Sequence, residues 1–480
     1  MLCSNADDEK KKISRNFIID AKVIKMSEKK KVGKDLTSGP IFPLLMSFAI
    51  PMVLTSLIQQ VYSMTDLMII GKFVGSVGTV GVSTGGELSD LMTPVANGLA
   101  AAGQIYIAQL VGMRNSEKVK SVVSTLLTLM FSISIVFMIG AVLFHHQILT
   151  WLNCPAEALG SASSYLMITA IGMPFIFGYN AITAILRGMG ESRRPLIFVS
   201  VAAVINIFTD LLLVVVIPLE AAGTAIATVA SQIGAFAASF IYLYRRRDQL
   251  GFRLDLSYFR INMHDLKIIM RLGIPQFVRV LSVQGSMLWV KSSINAYGLT
   301  ASATYSVGNK IEKFINLFIQ GVDQAGGAMI GQNIGAKKHE RVREIMRKML
   351  AVSFSLACAG AVLFLTVPKQ LYGVFTNDPA VIEYGVTFLR IMAIGCIVVG
   401  FSGPLKSIST GAGAAMLSLV LGIMDGVCRI LICMIALAVL GKTADAYFWG
   451  AAFCQLIPGL IAGGYYLSGR WKTKKLLAES

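Results

Sequence analysis

The stretch VINIFTDLLLVVVIP, residues 204–218, has the composition of a membrane-spanning helix except at two positions, Asn206 and Asp210. On the mildest insertion scale, an aspartate facing hydrocarbon costs about 2.5 to 3.5 kcal/mol. Since leucine would serve a spanning helix better, the aspartate indicates a function that needs a charge. The two polar residues are one helical turn apart and therefore share one helix face.

The composition of the whole chain predicts a helical protein that crosses the membrane many times. Hydrophobic residues make up 55% of the 480 residues and charged residues only 14%, whereas soluble proteins carry about 25% charged residues. Apolar runs of about 20 residues, the length of a spanning helix, recur along the sequence. The short alternating segments of a membrane β-barrel do not occur in it.

Apolar runs and the breakers between them predict twelve spans, over residues 41–71, 75–111, 119–144, 158–186, 195–217, 219–243, 266–297, 301–334, 342–367, 380–409, 414–440 and 444–467. Basic residues cluster in the N-terminal tail, in every second loop and after the last span. Because basic loops stay in the cytoplasm, we expect a multi-pass cell-membrane protein with both termini inside. This topology accounts for the net charge of +17, so no nucleic-acid partner is expected.

Short motifs repeat at a nearly constant interval. AIP (49–51) matches GIP (273–275), while AQLVG (108–112) matches GQNIG (331–335) and RGMG (187–190) matches TGAG (410–413), the last two pairs 223 residues apart. Six spans, an even number, separate the copies, so both halves have the same orientation. Parallel repeats are a transporter architecture with the substrate path between the halves.

The repeat and the charge pattern together predict the domain organisation. We expect a basic cytoplasmic tail over residues 1–40, an N-lobe over 41–247, a cytoplasmic linker over 248–265 and a C-lobe over 266–480 that ends in a short cytoplasmic tail. The first 40 residues lack the apolar region of a secretory signal. Met26, which begins MSEKKKVGKDLTSGP, is an alternative start to Met1.

Several motifs resemble those of the multidrug and toxic compound extrusion (MATE) family. They are DLTSGPI from residue 35, AIPMVLTSLIQQVYSMTDLMIIGKFVG from residue 49, LRGMGESRRPL from residue 186, INIFTDLLLVV from residue 205, GTAIATVASQ from residue 223, RLGIP from residue 271 and IGQNIGAKK from residue 330. The resemblance covers nearly all of the chain from residue 35 onward. It implies an all-α fold of twelve transmembrane helices in two six-helix lobes, and export of organic compounds in exchange for Na⁺ or H⁺.

Polar residues of four N-lobe spans fall at similar depths. With a rise of 1.5 Å per residue, Asp66, Asp210, Thr228 and Tyr165 lie about 8 to 15 Å from the outer ends of their spans, and Asn206 lies one turn deeper than Asp210. Their oxygens suit a small hard cation, while two close carboxylates can instead share a proton. The resemblance implies that Asp66, Asn206, Asp210 and Thr228 form the coupling-ion site, with Tyr165 beside it.

Simpler explanations remain for each of these residues. A buried aspartate can satisfy a backbone group or pair with a buried arginine. Tyr165 and Thr228 are residue types that commonly pack between helices. In the C-lobe, Asp425 and Arg429 have the i, i+4 spacing of an intrahelical salt bridge.

The C-lobe contributes candidates for the substrate cleft. Glu312 is interpreted as a residue of substrate binding or coupling, with charge pairing to its neighbouring lysines as the alternative. Gln284 and Lys291 are further candidates on span seven. A cation at position 291 would disfavour cationic substrates, unless the side chain extends to the outer membrane surface.

Pro51 and Pro275 occupy equivalent places in the first span of each half. Proline removes a backbone donor and permits a kink. We therefore interpret both as hinge residues, with a fixed kink that only improves packing as the alternative. Because Pro51 shares its span with Asp66, a bend there could couple ion occupancy to the shape of the cleft.

Neither catalysis nor a metal centre is expected. The seven cysteines and four histidines show no metal-binding spacing. No nucleophile elbow or histidine–carboxylate set occurs in the spans, so no catalytic residue is assigned. No cofactor is expected apart from the coupling ion. The expected partners are small organic molecules and the lipid bilayer, and no obligate protein partner is evident.

The predicted function is secondary active antiport, in which cationic or amphipathic organic compounds leave the cell in exchange for Na⁺ or H⁺ by alternating access. The alternative is a flippase for a lipid-linked oligosaccharide or cell-wall precursor. In that case Lys291 and Lys406 would be cleft cations that contact its phosphates.

Overall fold

A computed structural model describes residues 34–152, 154–247, 260–473 and 476–477. Twelve long helices dominate it: α1 (Ile41–Phe73), α2 (Gly75–Gly112), α3 (Ser116–Leu143), α4 (Leu159–Gly188), α5 (Arg193–Asp210), α6 (Glu220–Arg245), α7 (Met263–Asn295), α8 (Leu299–Gly335), α9 (His339–Thr366), α10 (Pro379–Gly411), α11 (Ala415–Leu440) and α12 (Asp445–Phe453 and Leu456–Leu467). The bounds lie within three residues of the predicted spans except at the end of α5, which stops at Asp210, seven residues before the predicted end. Within the described residues, nine helices are long and apolar enough to cross a membrane.

Four shorter segments join the long helices. They are the helices His145–Trp151, Pro368–Gly373 and Arg470–Thr473 and the 3₁₀ turn Ala156–Ala158. Most of the predicted linker, residues 248–259, and residues 1–33 of the predicted tail lie outside the described residues.

The two halves pack in the same way. In the N-lobe α1 packs on α5, α2 on α4, α3 on α4, α4 on α6 and α5 on α6. The C-lobe repeats each of these pairs six helices later, from α7 on α11 to α11 on α12. The predicted architecture of two parallel six-helix lobes is therefore confirmed. We call the end of the bundle that carries Ile41 and Leu467 the terminal face, and the other end the distal face.

The first helix of each lobe crosses to the other lobe. The first half of α1 buries Leu45, Phe48 and Met52 in a core shared with the C-lobe helices α8 and α9. The first half of α7 buries Ile269 and Leu272 in the N-lobe core. The second half of each helix then packs on its own lobe, because α1 contacts α5 and α7 contacts α11.

The lobes meet in the half of the bundle next to the terminal face. There Gly98 of α2 faces the backbone of Phe277 in α7, Gly321 of α8 faces Val53 in α1, and Gly331 faces Ala108. Glycine allows two helices to approach closely because it has no Cβ. Three of the long helices, α2, α7 and α8, are less apolar than the nine spans. All three pack across this boundary.

Candidate coupling-ion site

Asp210 stands where the fifth helix changes its winding. The α-helical part of α5 ends at Asp210, and a π-helical segment, Leu211–Val216, follows directly. Short π segments occur often at functional sites because they turn side chains away from the regular α-helical direction. Asp210 is 1% exposed and Asn206, one turn earlier, is 2% exposed. The polar face identified in the sequence therefore points into the protein and away from lipid.

Asp66 of α1 joins this pair. Its side chain interacts with both Asp210 and Asn206, so helices α1 and α5 bring two carboxylates and an amide into one cluster. The structure thus places three of the five predicted ion-site residues together.

Four oxygens of this cluster have no donor among the described residues. Asp66 Oδ1, Asn206 Oδ1 and both carboxylate oxygens of Asp210 are buried and accept no hydrogen bond from the described residues. No lysine or arginine among these residues forms an ion pair with either aspartate. A buried carboxylate without a partner is costly, so the arrangement fits a positively charged ligand better than a structural role.

Thr228 and Tyr165 occupy the neighbouring helices. α6 packs on α5 and α1, and Thr228 Oγ1 on α6 is buried without a partner among the described residues. The ring of Tyr165 packs on Gly85 and Gly86 of α2, next to a small apolar cluster that contains Ile70. Tyr165 is therefore placed toward the distal face, on the side of α2.

Tyr62 and Gln232 are two further polar residues near the cluster that were not predicted from the sequence. The side chain of Tyr62, one turn before Asp66, interacts with that of Gln232, which lies one turn after Thr228, and Tyr62 is within electrostatic range of Asp66. Each lies four residues from a predicted site residue, Tyr62 from Asp66 and Gln232 from Thr228. This spacing places each pair on one helix face and could have indicated both residues. These two residues form a second polar layer on the terminal side of the carboxylates.

The C-lobe candidates lie on two neighbouring helices, α7 and α8, and their role stays a prediction. Glu312 of α8 is half-buried, accepts a hydrogen bond of 3.1 Å from Asn316 Nδ2 and lies within electrostatic range of Arg429. Gln284 and Lys291, both on α7, are exposed.

Asp425 of the C-lobe faces two cations. Asp425 Oδ1 accepts a hydrogen bond of 3.2 Å from Arg429 Nη2, as its i, i+4 spacing predicts. Asp425 Oδ2 lies 3.8 Å from Lys406 Nζ. Arg429 Nε donates in addition to Ser286 Oγ at 3.1 Å, and Lys406 Nζ donates to Gln455 Oε1 at 2.7 Å. Asp425 is thus neutralised by the protein itself.

The two prolines stand where α1 and α7 pass between lobes. Pro51 interrupts α1 next to Met52, the last residue of α1 that packs in the shared C-lobe core. Pro275 interrupts α7 three residues after Leu272, the last residue of α7 in the N-lobe core. A bend at either proline would change the angle between the two halves of a helix that joins both lobes.

No group of three or more His, Cys, Asp and Glu residues with metal-binding geometry occurs within the described part of the chain. The carboxylate–amide cluster of α1 and α5 contains two acids and an amide, all of them oxygen ligands that a small hard cation prefers.

Known proteins match along nearly the whole chain. The sequence profile of the MatE family matches residues 51–212 and again residues 275–435, one match in each predicted repeat. The probable multidrug resistance protein YpnP of Bacillus subtilis is 28% identical over 449 residues, covering 93% of this chain and 99% of that protein. The probable multidrug resistance protein YoeA of the same organism is 27% identical over 383 residues, 78% and 82% of the two chains.

A solved structure supports the same fold. It is described as the outward-facing conformation of a multidrug resistance MATE family transporter, and it matches 92% of this chain and 98% of its own with a TM-score of 0.85 at 20% identity. Because the family profile covers more than half of the chain, in both repeats, the protein belongs to the MATE family of multidrug efflux transporters.

Proposed function

We propose that this protein exports cationic or amphipathic organic compounds from the cell in exchange for Na⁺ or H⁺. The observation that carries the proposal is the carboxylate–amide cluster of Asp66, Asn206 and Asp210, in which four buried oxygens have no donor among the described residues. Na⁺ prefers oxygen ligands as other hard cations do, and a proton shared between two carboxylates would relieve their repulsion equally well. Thr228 completes the oxygen set, and Tyr165 lies beside it.

The proposed cycle is alternating access. With the terminal face closed, the organic compound dissociates from a cleft between the lobes that opens at the distal face. The ion then binds to Asp66 and Asp210 and lowers the affinity for the compound. A bend of α1 at Pro51 transmits ion binding to the lobe boundary, and the lobes rock to open the terminal face. By thermodynamic reciprocity, the bound compound weakens ion binding by the same factor.

The orientation in the membrane follows from the basic loops. We place the terminal face in the cytoplasm of a cell-membrane protein, because basic segments such as residues 335–348 stay on the cytoplasmic side. The alternative, a flippase for a lipid-linked precursor, gains no support from relatives that are named for multidrug resistance.

Reconstituted export tests this proposal. Purified protein in liposomes, oriented by a cytoplasmic tag, is given either a Na⁺ gradient or a pH gradient, and uptake of a fluorescent organic cation is recorded. We expect one of the gradients to drive transport in the native protein and neither to do so in Asp66→Asn or Asp210→Asn. The exposed acid Glu344 provides a matched control, since Glu344→Gln removes a charge outside the cluster. Gradient-driven transport at the native rate in both cluster variants would refute the ion assignment.

A further inference from the structure

Two buried glutamines connect the lobes at the terminal face. Gln109 is three residues before the end of α2, and Gln332 is three residues before the end of α8, its equivalent in the repeat. Gln332 Nε2 donates to the carbonyl of Gly188 in the N-lobe at 3.0 Å. Gln109 Nε2 donates to the carbonyl of Gly411 in the C-lobe at 3.0 Å. The two bonds run in opposite directions across the boundary, as the symmetry of the repeat requires.

The oxygen of each glutamine amide accepts a hydrogen bond from a segment outside the twelve helices. The backbone N–H of Leu36, before α1, donates to Gln332 Oε1 at 3.1 Å. The backbone N–H of Leu477, after α12, donates to Gln109 Oε1 at 3.2 Å. Each amide therefore donates with its nitrogen and accepts with its oxygen, which fixes the orientation of the group.

Leu36 and Leu477 pack at equivalent places in the two halves. Leu36 is fully buried and faces Gly190, the glycine of the turn after α4. Leu477 is 5% exposed and faces Gly413, the glycine of the turn after α10. Both glycines have positive φ, 84° and 66°, a conformation that glycine adopts without strain.

The motifs AQLVG and GQNIG acquire a structural meaning here. Gly112 ends the first motif and faces the backbone carbonyl of Gln332, while Gly335 ends the second and faces the carbonyl of Gln109. A Cβ on either glycine would collide with that carbonyl. The two glycines therefore let α2 and α8 cross in contact, and the two glutamines are held at the crossing.

The segment before α1 is bound to both lobes. Lys34 N–H donates to the carbonyl of Gly190 in the N-lobe at 3.1 Å. On the C-lobe side, Asn333 Nδ2 donates to the carbonyl of Leu36 at 3.0 Å, and Lys338 Nζ donates to the carbonyl of Thr37 at 2.8 Å. After α12, Leu476 is part of the C-lobe core and Leu477 of the N-lobe core.

We propose that residues 34–37 and 476–477, each joined to a bridging glutamine, are a pair of clasps that hold the terminal face closed and must release before the cleft can open there. This inference rests on the alternating access of the proposed function. When the lobes separate, each glutamine amide loses its carbonyl acceptor in the opposite lobe, Gly188 for Gln332 and Gly411 for Gln109, so the clasps favour the closed state. The chain segments before the first helix and after the last thereby set the balance between the two conformations.

A distance measurement tests the clasps without transport. Glu117 and Glu340 begin α3 and α9 at equivalent places in the repeat and have side chains that are 83% and 81% exposed. Spin labels at these two positions, in a variant whose native cysteines are replaced, report the separation of the lobes at the terminal face. In the double variant Gln109→Leu/Gln332→Leu we expect the ratio of open to closed populations to rise at least about tenfold, since each lost hydrogen bond changes an equilibrium by about three- to tenfold.

A second pair of variants separates the clasp from general packing. Leu36→Pro removes both the N–H that Gln332 accepts and the leucine side chain, whereas Leu36→Ala removes only the side chain. We expect Leu36→Pro to open the terminal face more than Leu36→Ala. Equal distance distributions in the native protein and the glutamine double variant, or in the Leu36→Pro and Leu36→Ala variants, would overturn the proposal. Because the readout needs no ion gradient, a failure of the coupling-ion assignment would leave this result standing.

Discussion

The two lobes share one architecture, but the buried acids Asp210 and Asp425 have different partners. In the N-lobe, Asp66 and Asp210 lie against Asn206 and form no ion pair with the lysines and arginines that the structure describes. In the C-lobe, Asp425 is bound by Arg429 at 3.2 Å and approached by Lys406. The constant interval of 223 residues makes Arg429 the counterpart of Asn206.

The difference indicates how one half of a duplicated bundle can hold an ion site while the other half does not. A buried ion pair approximately compensates its own desolvation, whereas an unpaired buried acid must be neutralised by something from outside. The proposed N-lobe site can therefore exchange a cation, whereas Asp425 could do so only after its own pairs break.

The largest effect is expected when the C-lobe residue is placed in the N-lobe. Asn206→Arg supplies a permanent cation to Asp66 and Asp210, so the coupling ion is repelled and ion-driven export falls at least about 100-fold. Dye efflux from cells measures the loss. Asn206→Gln, which keeps an amide, is the control and should retain more activity. Efflux at the native rate in Asn206→Arg would contradict a cation site in the N-lobe.

The second prediction concerns stability, and its sign differs between the lobes. Asp425→Asn leaves Arg429 without its carboxylate and should lower the free energy of unfolding by about 3 kcal/mol. Asp210→Asn removes a buried charge that pairs with no lysine or arginine among the described residues, so it should leave the protein as stable or up to about 1 kcal/mol more stable. Thermal unfolding in detergent measures both. A marked loss of stability in Asp210→Asn would show that the carboxylate has a structural partner.

A smaller effect is expected at the crossing of α1. Pro51→Ala allows the helix to straighten and should slow export by about three- to tenfold, as hinge substitutions do when a conformational step limits the rate. Ion affinity should remain unchanged. Pro379→Ala, at the start of α10 and away from either crossing, is the control. Transport rates against ion concentration separate the two effects, and an altered ion affinity with an unchanged rate would contradict the hinge.

The smallest effect is expected at the exposed end of α7. If Lys291 faces the cleft, Lys291→Gln removes a charge that repels cationic substrates and raises their export by about twofold. Gln284→Ala, seven residues away on the same helix, should change it less. Export of a cationic and a neutral dye is compared in each variant, and an equal change for both dyes would exclude an electrostatic role of Lys291.

Much of the fold could be predicted because the membrane imposes length and hydropathy on each span. The bounds of α6 and α11 followed from apolar runs, and the association of Asp66 with Asp210 agrees with their similar predicted depths. The role of Asp210 stays a prediction, since only its placement is observed. The salt bridge of Asp425 and Arg429 was also predictable, because it lies within one helix.

Other features depend on contacts between distant segments. The repeat predicted that Gln109 and Gln332 are equivalent, but nothing in the sequence indicates that each binds a carbonyl of the opposite lobe. The sequence likewise did not predict that α1 crosses into the C-lobe core, because its apolar face could pack on either lobe. Hydropathy also cannot reveal the π segment after Asp210, since it leaves the composition of the span unchanged.

The most direct test of the central claim is a measurement of competition between ion and substrate in purified protein. Binding of a fluorescent substrate is titrated at low and high concentrations of the coupling ion, in the native protein and in the double variant Asp66→Asn/Asp210→Asn. We expect the ion to weaken substrate binding in the native protein and to have no effect in the double variant. An ion effect of equal size in both proteins would contradict it, because the coupling would then lie outside the N-lobe carboxylates.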